Sequence, residues 1–280
     1  MAYQHTVLGM NNCFYDVLES QKIVSFKIAC IAILGVIAII AWSVPSAEAS
    51  TGPSSVGLQT DRPSKTSSIH HELNCSKDNC VALTFDDGPG PYTPKLLDIL
   101  RGYGVKSTFY LLGSSIPGDE RVIRRMVLEG HEVGNHSMHH YEMTTLSPAE
   151  VYAEWHDTSE LIYGVTGSRP KTARPPYGAA DEVTYAQMER LGMAGVLWSI
   201  DPRDWADRNS ALVCERIATE AHPGAIILLH DVHSTSVDAV PCIIERLAAK
   251  GYKFTTVTEL LGDPVPGRAY WYREMPEVKK

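Results

Sequence analysis

From Asn74 onward the chain alternates short apolar runs with amphipathic stretches. The apolar runs predict strands at Val81–Phe85, Ser107–Leu112, Glu132–Gly134, Thr172–Ala173, Val196–Ile200, Ala225–Leu229 and Lys253–Val257. The amphipathic stretches predict helices at Pro94–Gly102, Glu120–Glu129, Pro148–Ile162, Glu182–Leu191, Ala211–Ala221 and Val237–Ala249. Ser147 and Asp181 are natural N-caps, and Gly130, Gly192 and Gly251 natural helix stops. Strand–helix alternation implies parallel pairing, because a crossover helix is the short way back to the next strand. The pattern predicts an α/β fold, a compact or incomplete (β/α) barrel with parallel strands, an open doubly wound sheet being the alternative. The first strand opens onto no G-x-G-x-x-G loop, so dinucleotide binding has little support.

Before Asn74 the pattern is different. Ile28 to Trp42 is apolar apart from small residues, follows Lys22 and Lys27, and precedes Ala47-Glu48-Ala49, an A-x-A cleavage pattern. Residues 1–49 are expected to be a secretory signal with a long leader, or an uncleaved anchor, since the run approaches the ~17-residue lower limit of a span. Either reading puts the rest of the chain outside the cytoplasm, secreted or tethered to the outer face of the membrane. Membrane contact is then expected only through this segment, if uncleaved. Residues 50–73 are rich in Ser, Thr, Pro and Gly and predict a flexible linker. Residues 74–265 are expected to form the main domain, and 266–280 an aromatic and charged tail.

Composition narrows the class. The chain has 280 residues, 44% hydrophobic and 21% charged, enough to bury a sizeable core. A net charge of -8 with no basic patch argues against a nucleic-acid partner. Cys13 and Cys30 fall in or before the targeting segment. An oxidising exterior permits Cys75–Cys80 and Cys214–Cys242 bridges, with free buried thiols as the alternative.

In a parallel barrel, chemistry collects at the carboxyl ends of the strands. Five polar groups fall at such ends: Asp86-Asp87, "GNHSMHH", "ARPPYG", "SIDPRDW" and "LLHD". Any one could be turn chemistry; five at one end of one layer point to a site. His136 and His140 are four apart, a spacing that puts both on one helical face, as metal ligands require. His139, three from His136, shares that face, and spacing does not separate the two. Two imidazoles and one carboxylate leave coordination positions open for water and substrate.

"TFDDGP" (Thr84–Pro89), "HSMHH" (His136–His140), "RPPYG" (Arg174–Gly178), "DPRDW" (Asp201–Trp205) and "LLH" (Leu228–His230) resemble the five ordered motifs of the polysaccharide deacetylase family. These are the family-four carbohydrate esterases, with a NodB-homology domain. The resemblance covers about Cys80 to Leu261 and implies a distorted (β/α) barrel. It implies one divalent metal, with Zn2+ expected and Co2+, Mn2+ or Fe2+ as alternatives, that activates water for attack on an acetyl carbonyl. It makes Asp87, His136 and His140 the metal ligands, and not His139. It makes Asp86 the general base and His230 the general acid. Arg174 is then the residue that orients Asp86, and Asp204 the carboxylate that raises the pKa of His230. Tyr177 is expected to offer its backbone N–H to the oxyanion, its ring being incidental, and Trp205 and Leu228 to wall the acetyl-methyl pocket. Asp201 and Asp231 are expected to be structural.

The stretch His230–Gly262 resembles the C-terminal part of bacterial peptidoglycan N-acetylglucosamine deacetylases. The expected partner is therefore an N-acetylated cell-wall glycan. Acetyl-xylan esterase and chitin-oligosaccharide deacetylase are the alternatives, and an inactive glycan-binding wall module the alternative of another class.

Overall fold

The computed structural model describes residues 73–274. The expected leader, the linker to residue 72, Cys13, Cys30 and residues 275–280 lie outside the described residues. In chain order the elements are β1 (Cys80–Asp86), α1 (Thr93–Tyr103), β2 (Thr108–Leu111), α2 (Glu120–Leu128), β3 (Glu132–Asn135) and α3 (Pro148–Thr166). Then come β4 (Thr172–Ala173), α4 (Glu182–Arg190), β5 (Ala194–Val196), α5 (Asp204–Asp207) and α6 (Ser210–Glu220). The last are β6 (Ile226–His230), α7 (Ser234–Ala249), β7 (Lys253–Phe254), α8 (Val257–Leu261) and β8 (Ala269–Tyr270).

The strands run in the order β6-β1-β2-β3-β4-β5-β8, with β7 paired to the start of β1, and every ladder is parallel. One parallel bridge, Ile200–Ile227, and one antiparallel bridge, Ala225–Tyr272, carry the curled sheet across to β6. This is a distorted (β/α) barrel, as the alternation predicted. β1 is buried along its whole length because helices cover one face and the barrel interior the other. Val81, Leu83 and Phe85 pack into the layer between sheet and helices, whereas Ala82 faces the interior cluster with Tyr110, Val196 and Ile226.

Helix ends follow the sequence closely. Ser147 forms a full capping box with Glu150, and Asp181 accepts from Thr184 N–H. After α2, α4 and α7 the expected glycines adopt positive φ, where a side chain would be strained. Both cysteine pairs are bridged: Cys75–Cys80 ties the approach to β1, and Cys214–Cys242 ties α6 to α7.

Three differences from the sequence reading have physical causes. The strand expected at Val196–Ile200 is instead Ala194–Val196, because the buried Arg174 side chain takes the carbonyls of Val196 and Leu197 out of the ladder. His136 and His140 share no helix; they lie in a loop after β3. The start of the aromatic tail forms β8 against β5, and Arg273 N–H donates to the Gly224 carbonyl. Among the described residues no helix is long and apolar enough to cross a membrane.

Candidate active site

Strand alternation would send the side chains of Asp86 and Asp87 to opposite faces. Asp86 is the last residue of β1, and Asp87 breaks the alternation with φ +70°. The turn that follows contains a cis Gly88–Pro89 peptide. Both carboxylates consequently reach the same imidazole: His136 Nε2 lies 3.7 Å from Asp86 Oδ2 and 3.4 Å from Asp87 Oδ1.

The loop 136–140 is held by an accounting of its amides. His136 N–H donates to Leu111 O, and Ser137 N–H to the side chain of Asn135. Met138 and His139 N–H both donate to Glu154 Oε2, and His140 N–H donates to Ser137 Oγ. These side-chain acceptors support positive φ at Ser137 (+71°) and His140 (+61°), a conformation that is costly for residues other than glycine. The result turns His140 Nε2 to within 3.4 Å of Asp87 Oδ1. It also separates the two histidines that spacing left together. His139 Nδ1 is bound to Glu154 Oε1 at 2.7 Å and the ring is half exposed, away from the cluster.

His136 Nδ1 lies 2.7 Å from the Arg174 carbonyl. A carbonyl can only accept, so Nδ1 carries the proton and Nε2 keeps its lone pair, the arrangement of a metal-ligating histidine. Burial, then the neighbouring His136, pushes His140 below its ordinary value, which also favours the neutral, ligating form. Burial works to raise Asp87. Its closeness to the imidazoles of His136, His230 and His140 outweighs burial and holds the carboxyl at about 2. Asp87 Oδ1 is buried and has no hydrogen-bond partner. A carboxylate oxygen left bare between two imidazole nitrogens is what a cation would satisfy. The ligand atoms of Asp87, His136 and His140 all lie within 4.8 Å of one another, so the donor set fits one metal ion.

Arg174 is fully buried and makes four hydrogen bonds. One Nη1 serves both Thr84 Oγ1 and Asp86 Oδ1, each at 2.7 Å, and Nε and Nη2 hold the Val196 and Leu197 carbonyls. Its guanidinium lies over the Tyr110 ring at 4.3 Å. Asp86 thus has one oxygen committed to Arg174 and the other turned toward the cluster.

On the opposite wall, His230 ends β6 and Asp204 opens α5. Asp204 Oδ1 accepts from His230 Nδ1 and Trp205 N–H, and Oδ2 from His230 N–H and Ser236 Oγ. Burial opposes protonation of His230, but the Asp204 hydrogen bond and the charges of Asp204, Asp86 and Asp87 lift it to about 9. Burial likewise opposes ionisation of Asp204, and its bond and ion pair with His230 bring it below the ordinary carboxylate value.

A cavity of about 390 Å³ joins these walls. Asp86, Asp87, His136, His140, Tyr177, Trp205, Leu228 and His230 all line it, so the expected residues meet at one place. Arg174 and Asp204 stand behind it, touching Asp86 and His230. Tyr177 has φ +60°, and its ring stands edge-on to His140 with centroids 4.6 Å apart. The sequence reading missed Trp198 and Pro175 in the lining, and Glu154 and Ser236 behind it. Asp201, expected to cap its loop, does so through Arg203 N–H and lines the cavity as well. Asp231 is wholly buried, and burial, partly countered by its bond with Thr93, pushes its carboxyl up to about 7.

A parallel barrel with two imidazoles and a carboxylate clustered at the carboxyl ends of its strands defines a class of metal-dependent hydrolases. The chain belongs to the polysaccharide deacetylase family, whose model matches residues 73–196. It is 39% identical over 68% of its length to the peptidoglycan-N-acetylglucosamine deacetylase PgdA of Listeria monocytogenes, covering 41% of that protein. It is 34% identical over 66% of its length to a peptidoglycan-N-acetylglucosamine deacetylase of Bacillus cereus, covering 90% of that protein. The structure of peptidoglycan deacetylase PdaC from Bacillus subtilis is similar with a TM-score of 0.63 and 41% identity, over 66% of this chain and 91% of that one. The chain thus spans about two fifths of the longer of these curated relatives and most of the shorter.

Proposed function

We propose that this chain hydrolyses the N-acetyl groups of an N-acetylated cell-wall glycan, namely N-acetylglucosamine in peptidoglycan. One observation carries the reading: the cluster of Asp87, His136 and His140 shares a single cavity with Asp86 on one side and His230 on the other. The names of the relatives support the substrate.

A divalent ion held by Asp87, His136 and His140 would supply a Lewis acid that polarises the acetyl carbonyl and acidifies water. Zn2+ is our assignment, since two imidazoles and a carboxylate suit it; Co2+, Mn2+ and Fe2+ accept the same donors. Asp86, steadied through Oδ1 by Arg174, takes the proton of the attacking water at Oδ2. His230, kept protonated by Asp204, gives a proton to the leaving nitrogen. A C–O bond forms, the C–N bond breaks, and acetate leaves a free amine on the sugar. The backbone N–H of Tyr177 stabilises the oxyanion, and Trp205 and Leu228 enclose the acetyl methyl. Such a substrate places the domain outside the cytoplasm, secreted or tethered through the N-terminal segment.

The test is acetate release from peptidoglycan, chitin oligomers and acetylated xylan, with and without added divalent metal. Metal-dependent release, fastest from peptidoglycan, is expected. Rapid release from xylan with none from the wall would reassign the substrate. Glycan binding without any acetate would revive the reading of an inactive wall module.

A further inference from the structure

Asp231 follows His230 directly, yet no step above uses it. Its side chain is completely buried. Thr93 Oγ1 bonds to Oδ2, and Oδ1 has no hydrogen-bond partner. An under-satisfied carboxyl in a dry position costs stability, which invites a functional reason for it.

Its surroundings supply one. A Cβ built on Gly88 would lie 2.5 Å from Asp231 Oδ1, 2.6 Å from Oδ2 and 2.9 Å from Cγ. The carboxyl therefore lies flat against the Gly88 backbone, one residue past Asp87. Thr93, the bonding partner of Asp231, also accepts from Gly90 N–H at 2.8 Å. The next residue, Val232, closes on Gly90, where a Cβ would meet Val232 Cγ1 at 2.8 Å. From the other side Leu112 N–H donates to the Gly88 carbonyl. The turn after β1 is thus clamped at both ends by the segment after β6. Asp87 sits at its start in a positive-φ conformation that needs outside support.

We propose that Asp231 is a positioning residue: its side chain braces the Gly88–Gly90 turn and so holds Asp87 where its Oδ1 faces both His136 and His140. The proposal rests on the reading of Asp87 as a metal ligand. It links the two walls of the site, because one strand end carries His230 and supports a ligand that approaches from β1.

The experiment measures metal affinity by chelator competition and the visible absorption of the Co2+-loaded protein, neither of which needs a substrate. Asp231→Ala is expected to weaken metal binding about tenfold, as loss of a supporting residue behind a ligand does, and to change the Co2+ band. Asp231→Asn keeps the shape and the acceptor for Thr93 and should bind metal within about threefold of the unmutated protein, short of the loss that removing a supporting residue causes. Gly88 is outside the positive-φ region, so Gly88→Ala is opposed by contact rather than by backbone strain, and its nearest contacts are all Asp231. It should weaken binding too. The pair Gly88→Ala with Asp231→Ala should lose clearly less than the sum, since one change makes room for the other. Unchanged affinity and spectrum in both single variants would overturn the proposal, as would strictly additive losses. Should Asp231→Ala fail to fold, Gly88→Ala decides the matter: unchanged affinity and an unchanged Co2+ band in it would overturn the proposal. Absence of metal binding by the unmutated chain would instead overturn the metal site itself.

Discussion

His140 and His230 face the same cavity and are driven in opposite directions. Burial and a neighbouring imidazole push His140 below its ordinary value, whereas Asp204 and two further carboxylates lift His230 to about 9. Burial lowers both, His230 more than the half-buried His140, so it is the neighbours that drive the two rings apart. Around Asp87 the scaffold is built from backbone: positive-φ residues and loop amides tied to Asn135, Ser137 and Glu154. Around His230 it is one carboxylate that accepts four hydrogen bonds. The first design keeps lone pairs free for a cation; the second stores a proton.

The largest effects should come from breaking this division at its centres. His136→Ala is expected to lose both metal affinity and turnover. Asp86→Asn should keep the metal and lose about 10²–10⁴-fold in turnover, the usual worth of a general base. Metal titration beside acetate release separates the two, and near-normal turnover in Asp86→Asn would refute the base assignment. Arg174→Met leaves the Asp86 carboxylate buried without its partner, which should cost on the order of 3–5 kcal/mol in denaturant unfolding.

The acid wall should respond through pH. Activity should fall on the alkaline side as His230 releases its proton, at or below about 9, because a bound cation would offset the help from Asp86 and Asp87. Asp204→Asn should move that limb toward the ordinary histidine value, about 6.5, measured as kcat against pH. The sign also holds for stability. A group whose folded pKa is raised stabilises fully below its unfolded value, near 6.5, and that contribution fades as pH rises through about 9. A limb that stays in place in Asp204→Asn would separate His230 from the acid role.

The sequence was most legible where a local rule sets the outcome. Caps at Ser147 and Asp181, glycine stops and the alternation of runs anticipated the barrel. The motif residues met in one cavity as the resemblance implied. What stayed hidden was tertiary. The strand expected at Val196–Ile200 was cut short by a side chain from β4's end, which no local pattern encodes. The short pairing of Ala269–Tyr270 is fixed by its partner β5, not by propensity. The helical-face argument left His139 and His140 open and assumed a helix these residues do not form; loop geometry is what brings His136 and His140 to Asp87. Glu154 had a signal: an acid among Val151, Trp155 and Thr158 on the buried face of α3, where a charge needs a partner.

Glu154 also gives the finest test of the comparison. It touches no ligand atom of the metal cluster; it accepts two loop amides through Oε2 and His139 Nδ1 through Oε1. If the ligand wall is held by its backbone, the amides matter and the imidazole does not. His139→Ala should then leave metal affinity and turnover within about twofold, as surface changes usually do. Glu154→Gln keeps an oxygen but exchanges charged acceptors for a neutral amide, weakening the amide bonds by roughly 1 kcal/mol. It should lower metal affinity severalfold while leaving the His230 limb of the pH profile in place. Equal effects of His139→Ala and Glu154→Gln would mean that the ring, not the loop amides, carries the support. A shift of the alkaline limb in either variant would mean that the two walls are not electrostatically separate.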